Sequence, residues 1–308
     1  MKKDLLSIYD LSLSEIEEIF ELAARLKAVH KRGERYTPLT GKTLAMIFEK
    51  PSTRTRVSFE VGMHQLGGHA LFLSPRDIQL GRVETVSDTA RVLSRYVDGI
   101  VVRTYSQARV EELARHSSVP VINGLSDLTH PCQILADLFT LKEKVGRLRG
   151  LKVAYIGDGN NVAHSWLYGA AKTGIDLSIA RPRGYGPDEK VLSKALKEAK
   201  TSGARLEVLD DPAQAAKGAD VLYTDVWASM GQEEEHSKRI EAFKGFQVNQ
   251  EMVSIAKKEV LVMHCLPAHR GEEITDEVLD GPHSIVLDQA ENRLHVQKAI
   301  LVKLLGKG

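Results

Sequence analysis

The chain has 308 residues, enough for two α/β cores rather than one. Lysine plus arginine (42) nearly balances aspartate plus glutamate (41), which argues against a nucleic-acid or membrane surface as the main partner and confines any anion site to a local cluster. No apolar run is long enough to span a bilayer, the start lacks a leader pattern, and two cysteines give no disulfide framework, so a reducing cytoplasm is expected.

The chain opens with an amphipathic helix over about 14–32, with Ile16, Ile19, Phe20, Ala23 and Leu26 on one stripe. Short apolar runs then predict strands at 43–48, 70–73, 99–102 and 119–122, separated by helices near 55–66, 86–96, 108–116 and 131–144. This alternation implies crossover connections and a mostly parallel sheet. The polar, glycine-containing stretch 144–150 reads as a boundary, after which the pattern restarts. Strands are expected near 152–156, 176–180, 205–209, 220–224, 260–263 and 284–287, and a last helix from about Gln289 to Leu305. The fold class is therefore α/β, in two domains with a cleft between them. Ligands of such sheets bind beyond the carboxyl ends of the strands.

Between the first strand and its helix stands Pro51-Ser52-Thr53-Arg54-Thr55-Arg56. Hydroxyl caps, outward N–H groups, the positive end of the helix dipole and a guanidinium together suit a phosphate dianion. The same residues also make an ordinary N-cap with a surface arginine. Arg103 lies just past another apolar strand, and His130-Pro131-Cys132-Gln133 opens a helix after a loop-like run. There an imidazole and a carboxamide donor three residues apart can reach one carbonyl oxygen, or form a plain capping loop.

In the second half, Gly157-Asp158-Gly159-Asn160-Asn161 partly resembles a dinucleotide fingerprint. Val162 replaces the third glycine, however, and Arg181-Pro182-Arg183 stands where a ribose-binding acid belongs, so a small polar ligand fits better. Asp225 ends a strand ahead of Trp227, Ser229 and Met230, a segment suited to closing on a ligand. His264-Cys265-Leu266-Pro267-Ala268-His269 admits a metal site or a cysteine nucleophile. The spacing matches no zinc pair, and no hydrolase signature accompanies the cysteine. Arg293 in the last helix puts one more guanidinium beyond a strand.

Taken together, Ser52-Thr53-Arg54-Thr55, Arg103, His130-Pro131-Cys132-Gln133, Asp225 with Ser229-Met230, and His264-Cys265-Leu266-Pro267 resemble the ornithine carbamoyltransferases in order and spacing, from the first helix to the last. One departure is Gly81-Arg82-Val83-Glu84, which lacks an expected glycine after the arginine.

The resemblance implies a carbamoyl-phosphate domain over 1–146, an ornithine domain over 147–289, and a helix at 290–308 packing back on the first. It implies transfer of a carbamoyl group to the δ-amine of L-ornithine without cofactor or metal. It also implies a cytoplasmic homotrimer, or an assembly of trimers, in which Gln79 reaches a neighbouring subunit's site. Ser52, Thr53, Arg54, Thr55, Gln79, Arg103, His130, Pro131, Cys132, Gln133, Cys265, Leu266 and Arg293 are then the candidate contacts of carbamoyl phosphate. Asn161, Asp225, Ser229 and Met230 are those of ornithine. Arg103, His130, Gln133, Asp225, Cys265 and Arg293 are the candidate catalytic set, with Cys265 accepting or relaying the amine's proton.

Overall fold

The computed structural model describes residues 3–74, 84–228 and 235–306. It divides into two compact units, Met1–Phe139 with Asn292–Gly308, and Thr140–Glu291. Gln79, Ser229, Met230 and the Gly81-Arg82-Val83 departure lie outside the described residues.

The first unit contains α1 (Leu13–Lys31), β1 (Thr43–Phe48), α2 (Thr53–Gln65), β2 (His69–Leu73), α3 (Val86–Leu93), β3 (Gly99–Arg103), α4 (Gln107–His116), β4 (Val121–Leu125) and most of α5 (Pro131–Val145). Helix α1 starts on a reciprocal cap: Ser12 Oγ accepts from the Glu15 N–H, and the Glu15 carboxylate accepts from the Ser12 N–H. The strands form a parallel sheet in the order β2-β1-β3-β4. The central strand β3 is buried throughout, and Ala45, Ile47, Ile100, Val102 and Val121 pack against Ala90, Val110 and Leu113 of the flanking helices.

The second unit contains β5 (Lys152–Ile156), α6 (Asn161–Thr173), β6 (Asp176–Ala180), α7 (Glu189–Ser202), β7 (Leu206–Leu209), α8 (Pro212–Ala216), β8 (Val221–Thr224), α9 (His236–Ala242), α10 (Gln250–Ile255), β9 (Leu261–His264), α11 (Asp276–Leu279) and the start of α12 (Val286–Leu305). Its sheet is also parallel, in the order β7-β6-β5-β8-β9. Trp166 and Tyr223 are buried with ring centroids 5.2 Å apart, and Tyr155 stacks on Tyr223 at 5.6 Å.

Both sheets are mostly as the alternation implies, with one correction. The run 284–287 is not a strand. Two backbone bonds tie it to Val262, from the Val262 N–H to the His283 carbonyl and from the Ile285 N–H to the Val262 carbonyl, and α12 then begins at Val286. Leu287 is 77% exposed beside buried Ile285 and Val286, which suits a helix turn's facing. The division between units falls inside α5 and α12.

The last helix returns to the first unit as expected. Lys27 Nζ donates to Asn292 Oδ1 at 2.7 Å, Lys298 Nζ donates to Gln65 Oε1 at 2.8 Å, and Lys303 pairs with Glu18. Gly99 lets this helix in. A Cβ there would stand 3.0 Å from the Leu305 side chain, tighter than ordinary packing.

Candidate functional site

In each unit the strand order reverses once, between β1 and β3 in the first and between β5 and β8 in the second. The polar residues singled out by the sequence gather beyond the carboxyl ends of these strands, where open α/β sheets bind ligands.

In the first unit, Ser52 caps α2 by accepting from the Thr55 N–H at 3.2 Å. The N–H groups of Thr53 and Arg54 have no intrahelical acceptor in a first turn, so this end is a donor-rich, positive pole. Arg54 is partly exposed on that turn. Thr55 is fully buried and accepts from Arg293 Nη2 at 2.8 Å, which fixes the α12 guanidinium against the α2 cap. Arg103 ends β3, 4% exposed, paired in register with Phe48 at the end of β1. The neighbouring carboxylate of Glu49 is taken up by Arg109 and the Thr104 hydroxyl, and Asp127 by Lys50, so neither cancels the arginines.

His130 follows a braced turn. The Ser126 N–H donates to the Thr129 carbonyl at 2.9 Å, and Asn123 Nδ2 donates to Thr129 Oγ1 at 3.0 Å. The imidazole is 5% exposed. Burial first, then the charges of Arg293 and Arg103, holds its pKa well below the usual histidine value. It is therefore a neutral ring among guanidinium groups, able to donate a hydrogen bond without carrying charge.

Two first-unit candidates already have a partner within the fold. Gln133 Nε2 donates to Asp137 Oδ1 at 2.8 Å, one helical turn on. One of the two N–H groups of the amide is thus engaged by the carboxylate, and the second remains a donor. The Gln133 carbonyl Oε1 is buried and accepts no hydrogen bond among the described residues, so this side chain can offer a ligand an acceptor as well as its second N–H. Cys132 is fully buried, with its Sγ donating to the Asn123 carbonyl at 3.5 Å. Burial pushes its thiol up to about 12, against the pull of Arg293, so the sulfur stays protonated. Pro131, its neighbour, is the first residue of α5.

In the second unit, Asn160 rather than Asn161 organises the tip of β5. Asn160 Oδ1 caps α6 by accepting from the Val162 and Ala163 N–H groups, and its Nδ2 donates to Asp225 Oδ2 at 2.8 Å. Asn161, the first residue of α6, is partly exposed. Asp225 is 7% exposed, and its Oδ1 accepts from the Val226 N–H at 2.8 Å and from Cys265 Sγ at 3.0 Å. The Cys265 thiol is thus a donor to the Asp225 carboxylate. A second buried acid, Asp158, pairs with Arg239 at 3.0 Å. Burial lifts its carboxyl to about 6 against that guanidinium.

The segment after β9 is held from several sides. The Leu266 N–H donates to His264 Nδ1 at 2.8 Å, which leaves Nε2 of His264 as the N–H that meets Glu273 Oε1 at 3.0 Å. Glu273 Oε1 also accepts from the His269 N–H at 2.6 Å. Leu266 sits at φ 57, a left-handed conformation that costs a non-glycine residue about 1–2 kcal/mol. The bracing overcomes that cost and fixes where the Cys265 and Leu266 backbone points.

Gly159 explains the near-fingerprint. A Cβ there would lie 2.2 Å from the Gly186 carbonyl carbon and 2.3 Å from the Pro187 nitrogen. The bare glycine admits the chain's own 186–187 segment, which fills the place where a pyrophosphate would approach.

Comparison with known proteins agrees with these two half-sites. Residues 3–143 match the family model described as the aspartate/ornithine carbamoyltransferase carbamoyl-P binding domain, and residues 149–304 match the Asp/Orn binding domain of the same family. The ornithine carbamoyltransferase of Syntrophus aciditrophicus is 60% identical over 99% of this chain and 100% of its own length. That of Pyrococcus abyssi is 59% identical over 99% of this chain and 96% of the relative. The solved ornithine carbamoyltransferase of Pyrococcus furiosus superposes with a TM-score of 0.96 at 58% identity, covering 98% of this chain and 96% of that one.

Proposed function

The chain belongs to the aspartate/ornithine carbamoyltransferase family, and from that premise we infer that it transfers the carbamoyl group of carbamoyl phosphate to the δ-amine of L-ornithine, giving L-citrulline and phosphate. The observation that carries the choice of acceptor is the acidic tip of the second unit. Asp225 is buried there, and the groups that bond to it, Asn160, Cys265 and the Val226 N–H, are neutral, while Arg239 is tied to Asp158. Such a tip attracts an ammonium group and repels the second carboxylate that aspartate would bring.

In this reading Ser52, Thr53, Arg54, Thr55 and Arg103 hold the phosphate dianion and stabilise it as it leaves. His130 donates to the carbamoyl oxygen, with Arg293, Arg103 and Thr55 beside it. Because the ring is neutral, its donor N–H adds to the oxyanion's stabilisation without competing for the phosphate. Gln133 Oε1 accepts from the carbamoyl NH2. The amide is thereby told apart from an ester or acid, which have no second donor to offer. The mixed anhydride is already activated, so the residues need only bind, orient and neutralise charge.

Ornithine's α-ammonium and α-carboxylate are held by Asn161, Asp225, Ser229 and Met230. Its δ-amine must be uncharged to attack. An ordinary alkylammonium has a pKa of about 10.4, so deprotonation at pH 7 costs about 4.6 kcal/mol, which nearby guanidinium groups reduce by disfavouring the cation. The Cys265 thiol donates to Asp225 and so keeps that carboxylate oriented for the α-ammonium. With Cys265 as a donor, the departing phosphate is the better proton acceptor. The working form is a homotrimer or a larger assembly of trimers in the cytoplasm, with Gln79 reaching the neighbouring site.

The test is citrulline formation from carbamoyl phosphate, with ornithine, aspartate, putrescine and N-acetylornithine offered in parallel. Ornithine should be preferred by kcat/KM. Preference for aspartate, or for an acceptor lacking a free α-amino acid end, contradicts the proposal.

A further inference from the structure

A second cluster of side chains in the Thr140–Glu291 unit stands apart from the Asp225–Cys265 pair. His236, the first residue of α9, brings its Nε2 to 3.2 Å from Glu272 Oε2. His269 Nδ1 lies 3.5 Å from the same oxygen. All three donor atoms fall within 4.8 Å of one another.

The two contacts to Glu272 are close to the edge length of a coordination sphere. Nitrogen and oxygen ligands at about 2.0–2.1 Å around a tetrahedral zinc lie about 3.3 Å apart along each edge. Hydrogen bonding within the cluster explains less. His269 Nδ1 is shut off from water, yet it makes no hydrogen bond among the described residues although a carboxylate oxygen stands beside it. Two imidazoles converge on one oxygen, and one of them gains nothing from it.

We propose that His236, His269 and Glu272 bind a borderline divalent transition-metal ion, zinc first among them, which clips α9 to the segment following β9. Two imidazole nitrogens and a carboxylate suit zinc, cobalt and nickel, and the part-exposed side chains leave room for water as the fourth ligand. The spacing of His264, Cys265 and His269 argued against a zinc pair, and the fold agrees, since His264 is engaged by Glu273 and Cys265 by Asp225. His269 instead meets a histidine and a glutamate that the fold brings to it.

The support around the cluster is stiff. Glu273, next to Glu272, holds both the His264 ring and the His269 N–H, so the ligands on this side are already oriented. A metal here joins α9 to the segment that also carries Cys265 and Leu266, and binding only the folded form it stabilises that form by mass action.

The experiment is calorimetric titration of the full chain, stripped with chelator, with zinc chloride. Cobalt chloride is titrated in parallel and read by the visible absorption of a tetrahedral cobalt site. One equivalent should bind, and the thermal midpoint should rise with zinc. His269→Ala and, separately, the milder His236→Asn should each weaken binding by at least about tenfold, since loss of even an outer partner of a metal ligand costs about 10–100-fold. Both variants should lose the zinc-dependent rise in midpoint while melting cooperatively without metal. Cys265→Ser should bind the first equivalent as the wild type does. Wild-type affinity in the His236→Asn/His269→Ala double variant, or loss of the first equivalent in Cys265→Ser, overturns the proposal.

Discussion

The two units solve the same topological problem with opposite charge. Each places its polar residues where the strand order of a parallel sheet reverses, beside β1 and β3 in one and β5 and β8 in the other. The first surrounds that point with Arg54, Arg103 and Arg293 and neutralises the nearby Glu49 with Arg109. The second places Asp158 and Asp225 there and ties Arg239 to Asp158. On the proposed reading one architecture presents an anion receptor and a cation receptor, and the distinction lies in a few side chains at strand tips rather than in the sheets. The buried titratable groups follow the same division. Among arginines His130 is kept neutral, whereas burial among acids raises Asp158 to about 6.

The comparison predicts that damage in the first unit and damage in the second separate kinetically. Arg103→Ala, which removes a buried cation from the anion receptor, should cost about 4 kcal/mol, roughly a thousandfold in kcat/KM, measured by steady-state citrulline production. His130→Ala should lower kcat by about 10²–10³-fold, the usual cost of one oxyanion donor, while carbamoyl-phosphate affinity changes much less. An unchanged kcat would remove the histidine from the oxyanion site. Asp225→Asn should raise the KM for ornithine by about 10–100-fold through loss of charge-assisted hydrogen bonds. A rise confined to the KM for carbamoyl phosphate would break the division of labour. Cys265→Ala should lower turnover by only about 3–10-fold, a lost neutral hydrogen bond to Asp225, and Cys265→Ser should recover part of it by restoring a donor.

A last prediction concerns stability rather than rate. Asp158 has a raised pKa, so its stabilising contribution is complete below the ordinary carboxylate value and is lost as pH rises through about 6. His130 has a lowered pKa, so its contribution is present above the ordinary value of 6.5 and is lost as pH falls below it. Urea unfolding of wild type and Asp158→Asn should therefore show the wild type's relative stability declining from about pH 4 to pH 6. A flat difference would mean that Asp158 is ionised throughout.

Much of this arrangement is legible in the chain itself. Short apolar runs alternating with helical stretches imply two parallel sheets, and the charged residues just beyond those runs mark the strand tips. What the sequence hides is how side chains are already engaged. The Ser284–Leu287 run reads as a strand because a brief apolar stretch suits a strand or a buried helical turn equally. That Asp137, one turn along α5, takes one N–H of Gln133 is not visible in the sequence. That the sulfur of Cys265 meets Asp225, forty positions away, is likewise invisible in sequence. Asn160, which both caps α6 and holds Asp225, is visible in sequence only as one of two adjacent asparagines. Gly159 mimics a dinucleotide motif because close approach of backbone demands glycine whether the backbone belongs to a ligand loop or to residues 186–187.

The most direct test of the central claim, an anion receptor in one unit and a cation receptor in the other, is calorimetric titration of carbamoyl phosphate alone into wild type, Arg103→Ala and Asp225→Asn. The account predicts that Asp225→Asn binds as tightly as wild type while Arg103→Ala shows no measurable binding. Retained binding in Arg103→Ala, or its loss in a folded Asp225→Asn, would contradict it.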